Sequence, residues 1–262
     1  MISYCVACYR PTYARQLIDE LVAKTTAPYE ILVWINVVDA GFEGFLEERM
    51  ASGAALRIAG RSPENIGMAA YPRLFEQSRY EMVAQIDDDV VCVGPNAAQT
   101  AAAIFERFPG VGMLTADVWQ DEYTTGARPP LEQYRLFDEG FGLYEGPIDG
   151  WFAIYRKRTI AECRGIRPGR YYNLGSAIRG RLQAIGRQAL LCTRMKVFHV
   201  TGPAYASYFG MLDAEIAKYA SIGRQDMVNW YNADRQSLPS RQELEERIHR
   251  IREYLSIRST TA

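Results

Sequence analysis

Short apolar segments of strand character alternate with amphipathic helical segments over the first half of the chain, and this alternation restricts the fold most. "ISYCVACY" at residues 2–9 reads as a buried strand, and Pro11 then opens a helical pattern with Leu17, Ile18, Leu21 and Val22 on one face. "YEILVWINV" is a second strand, followed by a helix around "GFLEERMAS", and "ALRIAG" is a short third strand. "NIGMAAYPRLFEQSR" is helical, with Pro72 limiting where its first turn lies. "EMVAQI", the helical "NAAQTAAAIFERF" and the strand "GVGMLTADV" continue the series. Strand–helix alternation predicts an α/β fold, a mostly parallel, doubly wound sheet flanked by helices. Ligands of such sheets collect at the carboxyl ends of the strands.

Past Trp119 the pattern loosens. Residues 120–147, rich in Gly, Pro, Tyr and acidic residues, read as a long excursion over the sheet edge. "IDGWFAIYRK" returns to strand character, and "MKVFHV" is a late strand carrying His199, one of two histidines in the chain. From residue 203 the pattern is helical. Ser240 and Glu243 fit a capping box after Pro239, with Leu244, Ile248, Ile251 and Leu255 as an apolar stripe. That stripe is expected to pack on the body of the protein or on a sister subunit, giving a homodimer through the C-terminal helices. The domain reading is an α/β domain over 1–203, with halves of about 1–95 and 96–203, and a helical C-terminal extension over 204–262.

Composition excludes some functions. A net charge of −1 supplies no basic field for nucleic acid. Runs such as "ILVWI" fall far short of the roughly 20 apolar residues of a membrane span. The N-terminus lacks a basic region followed by a long apolar stretch, so the expectation is a cytoplasmic protein without a signal peptide. The five cysteines, at 5, 8, 92, 163 and 192, are expected to be buried free thiols: Cys5-x-x-Cys8 has no second pair to complete a zinc site.

The chemistry concentrates in "QIDDDVVCVGP", where Asp87, Asp88 and Asp89 follow an apolar strand directly. Alternation along an extended chain sends the first and third side chains to the same side. Asp87 and Asp89 are thereby placed to share a hard divalent cation, with substrate phosphates completing its shell. An exposed acidic turn is the ordinary alternative for such a run.

The succession "VACYRPTYARQLIDELV", "YEILVWIN", "ENIGMAAYPRLFEQSRYEMVAQIDDDVVCVGP", "GPIDGWFAIYRKRTI" and "VFHVTGP" resembles glycosyltransferases of the GT-A fold, closest to the large family 2 group. The resemblance covers roughly residues 2–203. It implies a transferase that uses a UDP- or GDP-sugar, Mn²⁺ or Mg²⁺, and a small-molecule or glycan acceptor. It places Ala7, Tyr9 and Arg10 along the nucleotide base. Asn36 falls where the family has a base-reading Asp, with Asp39 as the nearby substitute. Asn65, Gly67 and Arg73 lie across base and phosphates. Asp87 meets ribose or metal, beside Asp88, while Asp89 and His199 are metal ligands. Asp149, Gly150 and Trp151 fall in the acceptor pocket. Each uncharged member has a structural alternative: Tyr9 and Trp151 as core, Asn65 as a helix cap.

Other readings share parts of this pattern. A sugar-phosphate nucleotidyltransferase has a Gly-rich basic loop after its first strand, which is missing here, as is the Asp-x-Thr chemistry of phosphohydrolases. No phosphate-binding Gly-x-x-x-x-Gly-Lys-Ser/Thr or Gly-x-Gly-x-x-Gly loop is present. A catalytically inactive, sugar-binding relative is the alternative from outside enzymes. One mismatch bears on stereochemistry. Inverting members carry an acidic residue at the start of the helix that here reads "NLGSAIRGRLQAIG", and none of Asn173, Leu174, Gly175 or Ser176 can act as a base. Retention of configuration is therefore the expectation, with Asp149 the base if the reaction inverts.

Overall fold

The computed structural model describes residues 1–36, 38–124, 127–163 and 174–257. The chain runs β1 (Ile2–Cys8), α1 (Pro11–Lys24), β2 (Tyr29–Asn36), α2 (Ala40–Ala51), β3 (Leu56–Ser62), α3 (Ala70–Gln77), β4 (Met82–Asp87), β5 (Val90–Val93), α4 (Ala97–Arg107) and β6 (Val111–Val118). It continues through β7 (Arg135–Asp138), β8 (Leu143–Glu145), β9 (Phe152–Arg156), α5 (Lys157–Glu162), α6 (Leu174–Ala184) and β10 (Gln188–His199). Helices α7 (Pro203–Tyr208), α8 (Leu212–Ser221), α9 (Gln225–Asp234) and α10 (Arg241–Ile257) follow. A 3₁₀ turn over Gly67–Ala69 leads into α3, which puts Pro72 third in that helix, where its missing N–H leaves no intrahelical bond unmade.

One sheet runs β3-β2-β1-β4-β9-β6-β10-β8-β7, with β5 also paired to β10. Strands β3, β2, β1 and β4 are mutually parallel, as is the β6–β10 pair. β9 enters between β4 and β6 antiparallel to both. Its reversed direction brings the start of the strand to the carboxyl end of β4, where the Asp87 N–H donates to the Trp151 carbonyl at 2.9 Å. A parallel strand would have presented its other end there.

Residues 120–147 are more than an excursion. They contain the β7–β8 hairpin, which widens the sheet by pairing with β10. At four and three residues these strands are too short to show a period-2 pattern, and β7 is largely exposed.

The central core is aliphatic and aromatic, with Tyr155, Phe152, Phe42 and Tyr71 fully buried. A second cluster forms beneath the C-terminal helices. There Leu244, Ile248, Ile251 and Leu255 of α10 pack with Tyr13, Phe198 and Tyr205. The apolar stripe is thus packed on the body of the protein. All five cysteines are buried and free.

Candidate active site

Strand β4 ends at a sharp turn that gives its three carboxylates different surroundings. Asp88 turns toward the loop after β1. It accepts the backbone N–H groups of Tyr9 and Arg10, each at 2.7 Å, and Arg10 Nε at 2.9 Å, with Arg10 Nη2 also in contact. Asp87 and Asp89 point the other way and meet His199 at the end of β10: one ligand atom from each lies within 4.8 Å of the others. Sequence reading pairs Asp87 with Asp89 through strand alternation; the structure pairs them across the turn that follows β4, with Asp88 holding a loop.

Burial and charge perturb the three groups strongly. Desolvation, then the charge of Asp89, pushes Asp87 up to about 8. Burial alone would raise Asp89 too, but Arg10 and His199 hold it well below the usual carboxylate range. Burial opposes charge on His199, yet the Asp89 carboxylate, 3.0 Å from Nε2, raises the imidazole above its ordinary value. Two atoms in this group, Asp87 Oδ1 and His199 Nδ1, are buried without a hydrogen-bond partner. Orphaned buried polar atoms are rare and costly. Two carboxylates and an imidazole with lone pairs to spare fit a divalent cation.

Around this group lies a cavity of about 310 Å³. Ala7, Tyr9, Arg10, Asn36, Asn65, Gly67, Asp87, Asp88, Asp89, Asp149, Gly150, Trp151 and His199 all line it. Asn36 is buried, and its Oδ1 accepts from the Ile66 N–H and the Ser62 hydroxyl, both at 3.2 Å. Asn65 Oδ1 accepts the Gly67 N–H at 2.8 Å across a turn in which Gly67 takes φ +56°, a left-handed conformation that favours glycine. Tyr9 stands 41% exposed at the mouth, so it is not core.

Several predicted residues have other duties. Arg10, on the cavity wall, is a half-buried hub: beyond Asp88, its Nη1 lies 2.7 Å from both Asp89 and Glu215. Asp39 lies off the cavity wall and caps α2 by accepting the Phe42 N–H at 2.7 Å. Arg73 is exposed and also off the wall, its guanidinium over the Trp34 ring at 5.0 Å. Trp151 is only 8% exposed and gives its indole N–H to the Ala116 carbonyl at 2.8 Å, so it borders the cavity mainly as core.

Asp149 sits at the opening turn of α6. Its Oδ1 accepts the N–H groups of Gly150 at 2.8 Å and Ser176 at 3.0 Å. A Cβ at Gly175 would lie 2.2 Å from Gly150 N and 2.4 Å from Asp149 Oδ1. The Asp149 carboxylate therefore occupies the space a side chain at 175 would need. Asn173 falls outside the described residues.

Sequence reading missed Thr201, just after β10, and the wall supplied by α8: Glu215, Lys218 and Tyr219. Only the polar residues' i, i+3, i+4 spacing marked them, and that spacing is common on any solvated helix.

No protein-family model and no curated protein sequence matches the chain. Solved structures do. TarS of S. aureus, solved with UDP-GlcNAc, superposes with a TM-score of 0.58 at 14% identity over 82% of this chain and 64% of that one. The mannosyltransferase PcManGT from Pyrobaculum calidifontis, solved with GDP-Man and Mn²⁺, gives 0.57 at 13% identity over 85% and 64%. GalNAc-T7, solved with UDP, GalNAc and Mn²⁺, gives 0.58 at 14% identity over 77% and 43%. The chain thus has the GT-A fold of nucleotide-sugar glycosyltransferases, while spanning less than two thirds of these relatives' length. No described helix is long and apolar enough to cross a membrane.

Proposed function

We propose that the protein is a metal-dependent glycosyltransferase that moves a sugar from a nucleoside-diphosphate sugar to a hydroxyl of a small-molecule or glycan acceptor. The observation that carries this reading is the Asp87–Asp89–His199 donor set, with its orphaned oxygen and nitrogen, at the strand end of a GT-A sheet. Those three residues would hold Mn²⁺ in preference to Mg²⁺, because an imidazole nitrogen suits the softer ion. The bound cation offsets the charge that develops on the departing diphosphate.

The chain's own residues do the rest. Asn36 and Tyr9 border the space for the base, with the Asn65–Gly67 turn beside it. Asp149 is held at Oδ1 by two N–H groups, which leaves Oδ2 for an acceptor hydroxyl. As that oxygen attacks the anomeric carbon, its proton passes to Asp149, and the carbon–phosphate oxygen bond breaks with its electron pair leaving on the diphosphate. A carboxylate seated against Gly175 supplies the base that α6 itself lacks, which favours inversion over retention. Calorimetry with UDP and GDP, with and without Mn²⁺ or Mg²⁺, tests the assignment: binding is expected only with metal, and metal-independent binding or none refutes it. The anomeric proton of the product, followed by NMR, reports inversion or retention.

A further inference from the structure

On the cavity wall the carboxylates Asp87, Asp88, Asp89, Asp149 and Glu215 face two permanent cations, Arg10 and Lys218. Arg10 is spoken for: Nε and Nη2 bond Asp88, and Nη1 bonds Asp89 and Glu215. Lys218 is not. Its ammonium carries three donors: Glu215 Oε2, at 3.0 Å, takes one, and the Tyr219 ring, 4.9 Å away at its centroid, meets part of the charge without accepting a conventional hydrogen bond. The remaining charge of Glu215 is already met by Arg10 through Oε1. A lysine serving only as a helix-surface ion pair extends into water, whereas this side chain is 16% exposed and lines the cavity. The run Asp89–Arg10–Glu215–Lys218 links the ammonium to the metal-ligand group along one cavity wall.

We infer that Lys218 binds the diphosphate of the donor, and that Glu215 positions it by bridging it to Arg10. Building on the nucleotide-sugar reading above, this makes α8 a working wall of the site. A wall this rich in carboxylates repels a diphosphate except where a cation meets it. Lys218 is the described wall cation with N–H donors to give, and charge-assisted bonds of this type are the strong ones. The same contact stabilises the diphosphate as it departs.

The test uses the full chain and reads two affinities of opposite sensitivity. Lys218→Met should weaken UDP or GDP binding in Mn²⁺ by at least about tenfold, the loss of one charged hydrogen bond. The same variant should bind Mn²⁺ alone at least as tightly as the unaltered chain, because a neighbouring cation has been removed. Lys218→Arg, which keeps the charge, should stay within about threefold. Unchanged nucleotide affinity in Lys218→Met overturns the inference. So does a parallel loss of nucleotide and Mn²⁺ affinity, which marks a structural residue. If the unaltered chain binds Mn²⁺ but no nucleoside diphosphate, the nucleotide-sugar reading itself fails and this inference falls with it.

Discussion

Strands β4 and β6 both carry aspartates with buried oxygens at their carboxyl ends, and the two ends behave in opposite ways. At β6, Asp117 is 2% exposed and fully matched: Arg128 Nε lies 2.5 Å from one oxygen and Lys196 Nζ 2.8 Å from the other. No atom there is orphaned, and none of the three residues lines the cavity. At β4, Asp88 is similarly satisfied, but Asp87 keeps a bare oxygen beside a second carboxylate and an imidazole with a bare nitrogen. A buried acid with its cations in place holds structure together. A buried acid without one marks where something else binds.

The widest separation between the two ends comes from neutralising each in turn. Asp87→Asn is expected to lower glycosyl transfer on the order of 1,000-fold, since the donor set loses a charged ligand. Its thermal stability should hold or rise. At neutral pH the folded chain keeps a proton on Asp87 that the unfolded chain releases, so the native carboxyl opposes folding above the ordinary carboxylate range. Asp117→Asn should do the reverse, costing about 3 kcal/mol by stranding two cations, while leaving metal-dependent nucleotide binding intact. Denaturant melts and calorimetry on both variants check the pair. Destabilisation by Asp87→Asn, or loss of metal binding in Asp117→Asn, would break the comparison.

A somewhat smaller effect is expected on the acceptor side. Asp149→Asn should reduce kcat about 100-fold or more as a lost general base, with Mn²⁺-dependent nucleotide affinity unaltered. Equal loss of affinity and kcat would make Asp149 only a cap for α6.

The smallest effect is in pH. Both His199 and Asp87 must give up protons to ligate a cation, and both are raised, His199 above 6.5 by Asp89 and Asp87 to about 8 by burial. Protons compete below those values, so Mn²⁺ affinity should climb as pH rises toward 8, by up to about tenfold per unit for each proton released. Calorimetry in buffers of different ionisation heat reads the proton count; a flat profile removes one of these ligands from the set.

Much of this was legible in the sequence because it is local. The strand-to-Asp-triplet step, the Asn65–Gly67 turn and the histidine closing "MKVFH" are short patterns with direct physical meaning. The pairing of Asp87 with Asp89 was also expected, though a turn after β4 rather than strand alternation produces it. What stayed hidden depends on partners far along the chain. Arg10 read as a base contact because nothing near it in sequence announces Asp88, 78 residues away, or Glu215, 205 residues away. Asp39 looked like a substitute base reader where it caps a helix, and the choice between it and Asn36, three residues earlier, turned on where β2 stops. The second half of the sheet was harder still, since β9 runs against its neighbours and β7 and β8 are too short to show a period.

The bond between Arg10 and Glu215 also sets a schedule. Strands β1 to β4 and their helices can pair as soon as they leave the ribosome, and Arg10 can find Asp88 and Asp89 with them. Its third carboxylate partner lies 205 residues further along the chain, in a helix made well after those strands. Long closures come late in folding. The β1–β4 side of the acidic pocket is therefore made before its lysine-bearing wall, and the two are joined only when Glu215 reaches Arg10.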